Sequence, residues 1–193
     1  MVIKKYILAC FIFNICFSQN WIQNQRMEMQ FKEAVTSYNS GRYATSEIIL
    51  NKIIDSGYES FYEKSLLLLL KSQVALNKPE AAKRTAKIFF SDYPTSSFSG
   101  YAMESIGDLF VNYANYESAY RMFSRSRNLS IKTERKVKID KKLLRIIKIS
   151  ISTKFIDELL IMETNLSLTN IHYLAIAYSQ IMNGIPDLSL IHI

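Results

Sequence analysis

The pattern of apolar and polar residues along this chain is that of helices. Apolar residues recur at the three- and four-residue spacing of one helix face, as at Val137, Leu144 and Ile147. Alternation of apolar and polar residues, the pattern of a half-buried strand, occurs only in patches such as 148–152, which continue a helical pattern. We therefore predict an all-α protein.

Short turns divide this pattern into predicted helices that form consecutive pairs of a helix A and a helix B. The predicted helices are A1 22–40, B1 43–56, A2 60–76, B2 79–91, A3 96–114, B3 116–128, A4 131–151, B4 155–164, A5 169–183 and B5 from 186. Gly41 and Gly184 follow A helices and suit the left-handed conformation that ends a helix, whereas Pro79 begins B2. With 5 glycines and 3 prolines, the chain has too few strong turn residues for a many-stranded sandwich or barrel.

A turn followed by a small residue recurs along the chain at a period of about 35 residues. The small residues lie on B helices and are Ser46, Ala82, Ala119 and Ser189. Their separations are 36, 37 and 70 residues, and the last of these equals two periods. A weaker copy fills that last gap, with Glu158 in place of the small residue.

This pattern resembles the tetratricopeptide repeat, a pair of antiparallel helices of about 34 residues. The third copy carries the motif most fully, at Met103, Ile106, Gly107, Phe110, Tyr116, Ala119 and Phe123. Small residues such as Gly107 on a helix A and Ala119 on a helix B let the two helices approach closely, and aromatic residues fill the gaps beside the contact. The resemblance covers about residues 27–193 and implies a right-handed superhelical solenoid of antiparallel helix pairs, with about five repeats, the last incomplete.

In this family the concave groove is lined by A helices and commonly holds a peptide or a helix of a partner protein. The family's groove positions fall here on Phe31, Val35, Tyr38, Asn39, Lys64, Lys71, Val74, Tyr101, Glu104, Asp108 and Asn112. Their mixture of aromatic, polar and charged groups suits peptide binding, and the alternative for each residue is a role in packing. The resemblance thus implies a non-enzymatic scaffold for protein–protein interaction, similar to periplasmic tetratricopeptide proteins of bacterial outer-membrane assembly and secretion.

Two parts of the chain depart from the family's pattern. The fourth copy has Glu158 on B4 and no clear Leu-Gly pair on A4, so we expect a longer helix A4 and a locally altered superhelix. Helix B5 holds only about two turns, and no polar capping helix follows it. We therefore expect either that this end is covered by a partner or a second copy, or that the chain is the N-terminal solenoid of a larger exported secretion or outer-membrane assembly component.

Residues 1–18 have the layout of a secretory signal peptide. Lys4 and Lys5 precede an apolar run of twelve residues that only Asn14 interrupts. The small residues Cys16 and Ser18 occupy the −3 and −1 positions of a cut before Gln19. The run is shorter than the ~20 residues that span a bilayer. We therefore predict export to the periplasm or the outer membrane, with residues 19–193 as the repeat domain. The alternatives are a buried N-terminal helix and an uncleaved membrane anchor.

The two cysteines, Cys10 and Cys16, both lie in this predicted signal peptide. Lipidation at Cys10 is disfavoured, because only four apolar residues separate it from the preceding lysines. Without the signal peptide the chain keeps no cysteine and two histidines, His172 and His192, neither of which has a carboxylate at helical ligand spacing. The sequence shows no hydrolase motif and no phosphate-binding loop. We therefore predict no enzyme activity, no cofactor, no metal and no small-molecule substrate.

A run of basic residues distinguishes helix A4. It comprises Lys132, Arg135, Lys136, Lys138, Lys141, Lys142, Arg145 and Lys148. The run holds much of the net charge, which is +7 for the whole chain and +5 without the predicted signal peptide. Its interpretations are a solvated outer face of A4, or a contact over 131–151 for an anionic surface such as phospholipid headgroups, an anionic glycan or an acidic partner. Nucleic acid is not an expected partner, because the predicted signal peptide directs the chain out of the cell.

Overall fold

The computed structural model describes the backbone of residues 2–150, 153–162, 169–174 and 176–177, and the side chains of most of these residues from Trp21 onward. Every regular element in these ranges is an α-helix, which confirms the all-α prediction for the described part of the chain. The named helices are α1 Val2–Asn39, α2 Tyr43–Asp55, α3 Glu59–Ala75, α4 Pro79–Asp92, α5 Ser99–Asn112, α6 Tyr116–Asn128, α7 Thr133–Ser150 and α8 Thr153–Met162. Residues 169–174 and 176–177 are also helical.

The helix boundaries differ most from the predicted ones at the start of the chain. Helix α1 begins at Val2 rather than at 22, because the sequence has no glycine or proline before Gly41 that would end a helix. Helix α5 begins at Ser99 rather than at 96, because the Ser96 hydroxyl oxygen accepts a hydrogen bond from the Phe98 N–H at 2.9 Å within the preceding turn. Helix B5 and the end of A5 lie outside the described residues. Within the ranges described, no helix is both long and apolar enough to cross a membrane.

The chain separates into two compact units, the first ending at Leu76 and the second beginning at Asn77. The boundary falls in the turn between α3 and α4, where Asn77 adopts a left-handed φ of +55°. The first unit therefore contains α1 to α3, and the second contains α4 to α8 with the helical residues that follow. The division lies between the predicted helices A2 and B2 rather than between two predicted pairs.

In the first unit, α1 and α2 form a helical hairpin, and α3 packs against both helices. Gly41 closes the turn of the hairpin with a φ of +74°, the left-handed conformation predicted for it. Ser46, the small residue of the first copy, is fully buried, and its hydroxyl oxygen accepts a hydrogen bond from the Ser72 hydroxyl of α3 at 3.3 Å. The buried core comprises Met27, Ala34, Leu50, Ile53 and Leu69.

In the second unit, α5 and α6 form a hairpin, α7 packs against α6, and α4 contacts α5. Gly107 of α5 is buried against Phe123 of α6, and a Cβ atom at Gly107 would lie 2.5 Å from the Cε1 atom of that ring. Ala82 and Ala119, the small residues of the second and third copies, are also fully buried. The close approach predicted for this helix pair is thus confirmed. The buried core comprises Ala119, Tyr120, Phe123, Ile139, Leu143, Ile146, Ile147, Phe155, Ile156 and Ile176.

Candidate interaction surfaces

The predicted groove residues of the first unit lie on two neighbouring helices, α1 and α3. The ring centroids of Phe31 on α1 and Phe61 on α3 are 5.7 Å apart, and those of Tyr38 and Tyr43 are 5.2 Å apart. The half-buried groove residues are Phe31, Val35, Tyr38 and Lys71, and the exposed ones are Asn39 and Lys64. Val74 is buried and 8% exposed, so its role is in packing. The other six residues keep surface that a partner can reach.

In the second unit, two of the predicted groove residues of α5, Glu104 and Asp108, pair with predicted patch residues of α7. Glu104 Oε1 lies 2.8 Å from Lys142 Nζ, and Glu104 Oε2 lies 3.1 Å from Arg135 Nη2. Both carboxylate oxygens of Asp108 also accept hydrogen bonds from Lys142 Nζ, at 2.8 and 2.7 Å. We call these four residues the charge cluster. The two surfaces that the sequence places apart therefore meet through long side chains that connect α5 to α7.

The guanidinium of Arg135 occupies a fitted site beside α5. It lies 3.8 Å from the centroid of the Tyr101 ring, the cation–π arrangement in which a cation faces an aromatic ring. It donates hydrogen bonds to the hydroxyl oxygens of Ser130 at 2.6 Å and Ser126 at 3.1 Å. A Cβ atom at Gly100 would lie 2.9 Å from Arg135 Nη1, so the absence of a side chain there makes room for the guanidinium. Arg135 is thus fixed in place and is not a free surface cation.

Burial acts to raise the pKa of both carboxyls in the charge cluster, but the outcome differs between them. At Glu104 the hydrogen bonds and positive charges of Lys142 and Arg135 outweigh burial, and its pKa lies below the ordinary value. At Asp108 the contact with Lys142 does not outweigh burial, and the negative charge of Glu104 adds to it, so the pKa is raised. Glu104 is therefore the carboxylate that holds the two cations.

A second ion pair connects α6 and α7. Arg127 Nε pairs with Asp140 Oδ1, and Arg127 Nη2 donates a hydrogen bond to Asp140 Oδ2 at 3.2 Å. The Arg127 side chain is 7% exposed and that of Asp140 is 23% exposed. The sequence places Asp140 among the basic residues of A4, whereas the structure pairs it with α6. It does not neutralise the exposed lysines of its own helix.

Most of the other described basic residues of this segment are exposed. Ile139, Leu143 and Ile146 are buried on the inner side of the helix. The exposed basic residues of the patch are Lys132, Lys138, Lys141 and Arg145, while Lys136 is half-buried and the side chain of Lys148 lies outside the described residues. Exposed aliphatic side chains lie in the same segment, with Leu129 at 53%, Ile131 at 95% and Val137 at 49% exposure. The basic patch predicted from sequence thus consists of two groups. Arg135 and Lys142 are paired with α5, and the other described residues lie mostly on the exposed outer face of the segment.

The described residues contain no group of three His, Cys, Asp or Glu side chains that could hold a metal ion. His172 is 1% exposed, and its ring centroid lies 5.5 Å from that of Tyr120 in the core of the second unit. His192 lies outside the described residues.

Comparisons with known proteins identify no relative of this chain. No protein-family model, no curated protein and no solved structure matches it. The resemblance to the tetratricopeptide repeat therefore stays a prediction from the motif residues. What the structure shows in the second unit is the close approach of the two helices at Gly107, which packs against Phe123.

Proposed function

We propose that this chain is an exported, non-enzymatic scaffold of the tetratricopeptide type that binds another protein at the bacterial cell envelope. Its helix pairs would build a right-handed superhelical solenoid, as the family resemblance implies. The observation that carries the proposal is that A-type helices are connected to each other in each unit. In the first unit α1 contacts α3, and in the second the charge cluster links α5 to α7.

The exposed faces of these A-type helices have the composition of a peptide-binding surface. In the first unit, half-buried Phe31, Val35 and Tyr38 lie near exposed Asn39, which gives an apolar surface with an amide beside it. Aromatic side chains supply large contact areas, and amides add directional hydrogen bonds at the rim. This face suits a partner helix or an extended peptide with an apolar anchor.

The face of α5 offers mainly polar groups. Asp108 keeps 43% of its side chain exposed although it pairs with Lys142, and Asn112 is exposed one turn further along the helix. Because the charge cluster and the ring of Tyr101 hold Arg135 in place, this face is ordered before any partner binds. Such pre-organisation lowers the entropy cost of binding. The partner would therefore place polar groups, rather than an apolar anchor, on this part of the surface.

Site-specific photo-cross-linking in bacterial cells that export the full chain tests this proposal. The cross-linking amino acid replaces one exposed A-type residue at a time, at Asn39, Lys64 or Asn112. We expect all three positions to cross-link to the same protein of the cell envelope.

Matched control positions lie on the exposed sides of the B-type helices. They are Thr45 on α2, Lys87 on α4 and Arg125 on α6, all of which are exposed. We expect these positions to give no cross-link to that protein. Equal cross-linking from both groups, or none from the A-type positions, would contradict the proposed binding face.

A further inference from the structure

We infer that the outer face of α7 is a docking surface for an anionic phospholipid bilayer, a function beyond the proposed protein scaffold. The structure separates the basic residues of this helix into two groups. Arg135 and Lys142 are paired with α5, with side-chain exposures of 12% and 26%. Lys138, Lys141 and Arg145 are exposed, and no salt bridge between described side chains engages them, although the charge of Lys138 acts on Asp108. These three residues, with exposed Lys132 at the start of the segment, form the docking surface.

The docking surface carries little negative charge to oppose its cations. Asp140, which the sequence places among them, pairs instead with Arg127 on α6. Glu134 is the acidic residue that remains exposed on the described part of this helix. Each basic residue held near an anionic bilayer strengthens binding by about fivefold, so three or four of them provide a large electrostatic contribution.

Aliphatic side chains next to these cations favour a bilayer over an acidic protein. Ile131 is 95% exposed beside Lys132, in the connection between α6 and α7, and Leu129 and Val137 are about half exposed on either side. An aliphatic side chain can enter the boundary between headgroups and acyl chains while lysines extend their ammonium groups to the phosphates. Protein-binding hot spots are enriched in Trp, Tyr and Arg, and the exposed side chains described at 129–145 include no aromatic residue.

The inner side of α7 is fixed, so the docking surface is present before any lipid binds. Ile139 and Leu143 are fully buried in the core of the second unit, and the charge cluster holds the same helix against α5. The ion pairs that link α7 to α5 are made by Arg135 and Lys142 rather than by the outer cations. Substitutions on the outer face can be made without removing contacts of the core.

Vesicle co-sedimentation of the full chain tests the inference. Vesicles of phosphatidylcholine with phosphatidylglycerol are compared with vesicles of phosphatidylcholine alone, which report any binding that does not depend on lipid charge. We expect binding to the anionic vesicles at low salt, weaker binding at about 0.15 M salt, and little binding to the neutral vesicles. Absence of charge-dependent binding at low salt would overturn the inference.

A triple variant with a matched control identifies the surface that binds. Lys138→Gln, Lys141→Gln and Arg145→Gln together should weaken binding to the anionic vesicles by about a hundredfold. The control combines Lys52→Gln, Arg84→Gln and Lys87→Gln, which remove the same charges from exposed sites elsewhere, and should change binding by no more than about twofold. Equal losses in the two variants would show that net charge alone governs binding, and would overturn the assignment to α7.

A substitution of the exposed isoleucine tests the apolar part of the surface. Ile131→Ser should weaken binding by about fivefold, because partial burial of this side chain in the bilayer is lost. An unchanged affinity would show that no side chain enters the bilayer. Binding of the full chain to polyglutamate but not to anionic vesicles would assign the surface to acidic proteins and overturn the inference.

Discussion

Replacement of Gly107 by alanine is expected to lower the free energy of unfolding of the second unit by about 2 kcal/mol. The new Cβ atom would lie 2.5 to 3.0 Å from three ring atoms of Phe123, whose side chain is 1% exposed and cannot move aside. Overpacking of a core costs about 1–3 kcal/mol, and this contact belongs at the upper end of that range. The better helix propensity of alanine offsets about 1 kcal/mol. Urea unfolding followed by circular dichroism measures the net effect.

A second substitution shows whether the loss comes from this contact. Phe123→Leu removes the ring atoms that the new Cβ would meet, at its own cost in core packing. The loss of stability in the double variant should be at least about 1 kcal/mol smaller than the sum of the losses in the two single variants, because the clash is gone. Additive losses would contradict the contact between α5 and α6.

This contact belongs to the part of the fold that the sequence predicts well. A small residue that recurs at a fixed interval indicates where two helices of a pair approach, because a larger side chain would hold them apart. Ala82, Gly107 and Ala119 are all buried as this reasoning requires. The turn at Gly41 was predictable for a related reason, since a left-handed residue after a helix is usually glycine.

The charge cluster belongs to the part that the sequence does not reveal. Helical periodicity shows which residues share one face of a helix, but it does not show which other helix that face meets. Glu104 and Arg135 are 31 residues apart, and the sequence alone assigned them to two different surfaces. The Arg127–Asp140 pair was missed for the same reason, although a buried arginine near the end of one helix and an aspartate on the next offered a signal.

Replacement of Glu104 by glutamine is expected to cost about 2–3 kcal/mol of the free energy of unfolding. The Glu104 and Arg135 side chains are each 12% exposed, and the substitution removes the carboxylate that pairs with both Arg135 and Lys142. Breaking a buried ion pair costs about 3–5 kcal/mol, and partial solvent screening of Lys142, together with its contact with Asp108, lowers that figure. Thermal or urea unfolding at neutral pH measures the loss.

Asp108→Asn is the matched control for this substitution. Asp108 contacts the same lysine, but its side chain is 43% exposed, and burial together with the charge of Glu104 raises its pKa. A pair exposed to this extent contributes about 0–1 kcal/mol, and the raised pKa shows that the folded protein disfavours the charged form. We therefore expect the free energy of unfolding to change by less than about 1 kcal/mol, in either direction. A loss as large as that of Glu104→Gln would contradict the central place of Glu104 in the cluster.

The two carboxyls also predict opposite effects of acid on stability. The pKa of Glu104 is lower in the folded protein than in the unfolded chain. Ionised Glu104 therefore contributes its full stabilisation above the pKa of the unfolded chain, and this stabilisation is lost as the pH falls through the pKa of the folded protein. Because the pKa of Asp108 is raised, the folded protein takes up this proton first, which favours folding as the pH falls through the raised pKa. Glu104→Gln should therefore make the loss of stability in acid less steep, and Asp108→Asn should make it steeper.

The proposed binding face of the second unit and the division of the basic residues both depend on the link that the charge cluster makes between α5 and α7. A double-mutant cycle of Glu104→Gln and Lys142→Gln, followed by urea unfolding, measures the energy that couples the two helices. Contact between the charges predicts a coupling energy of about 1 kcal/mol or more, although Asp108 and Arg135 remain as second partners. Losses that add to within about 0.3 kcal/mol would show that the two side chains do not interact, and would contradict the link between α5 and α7.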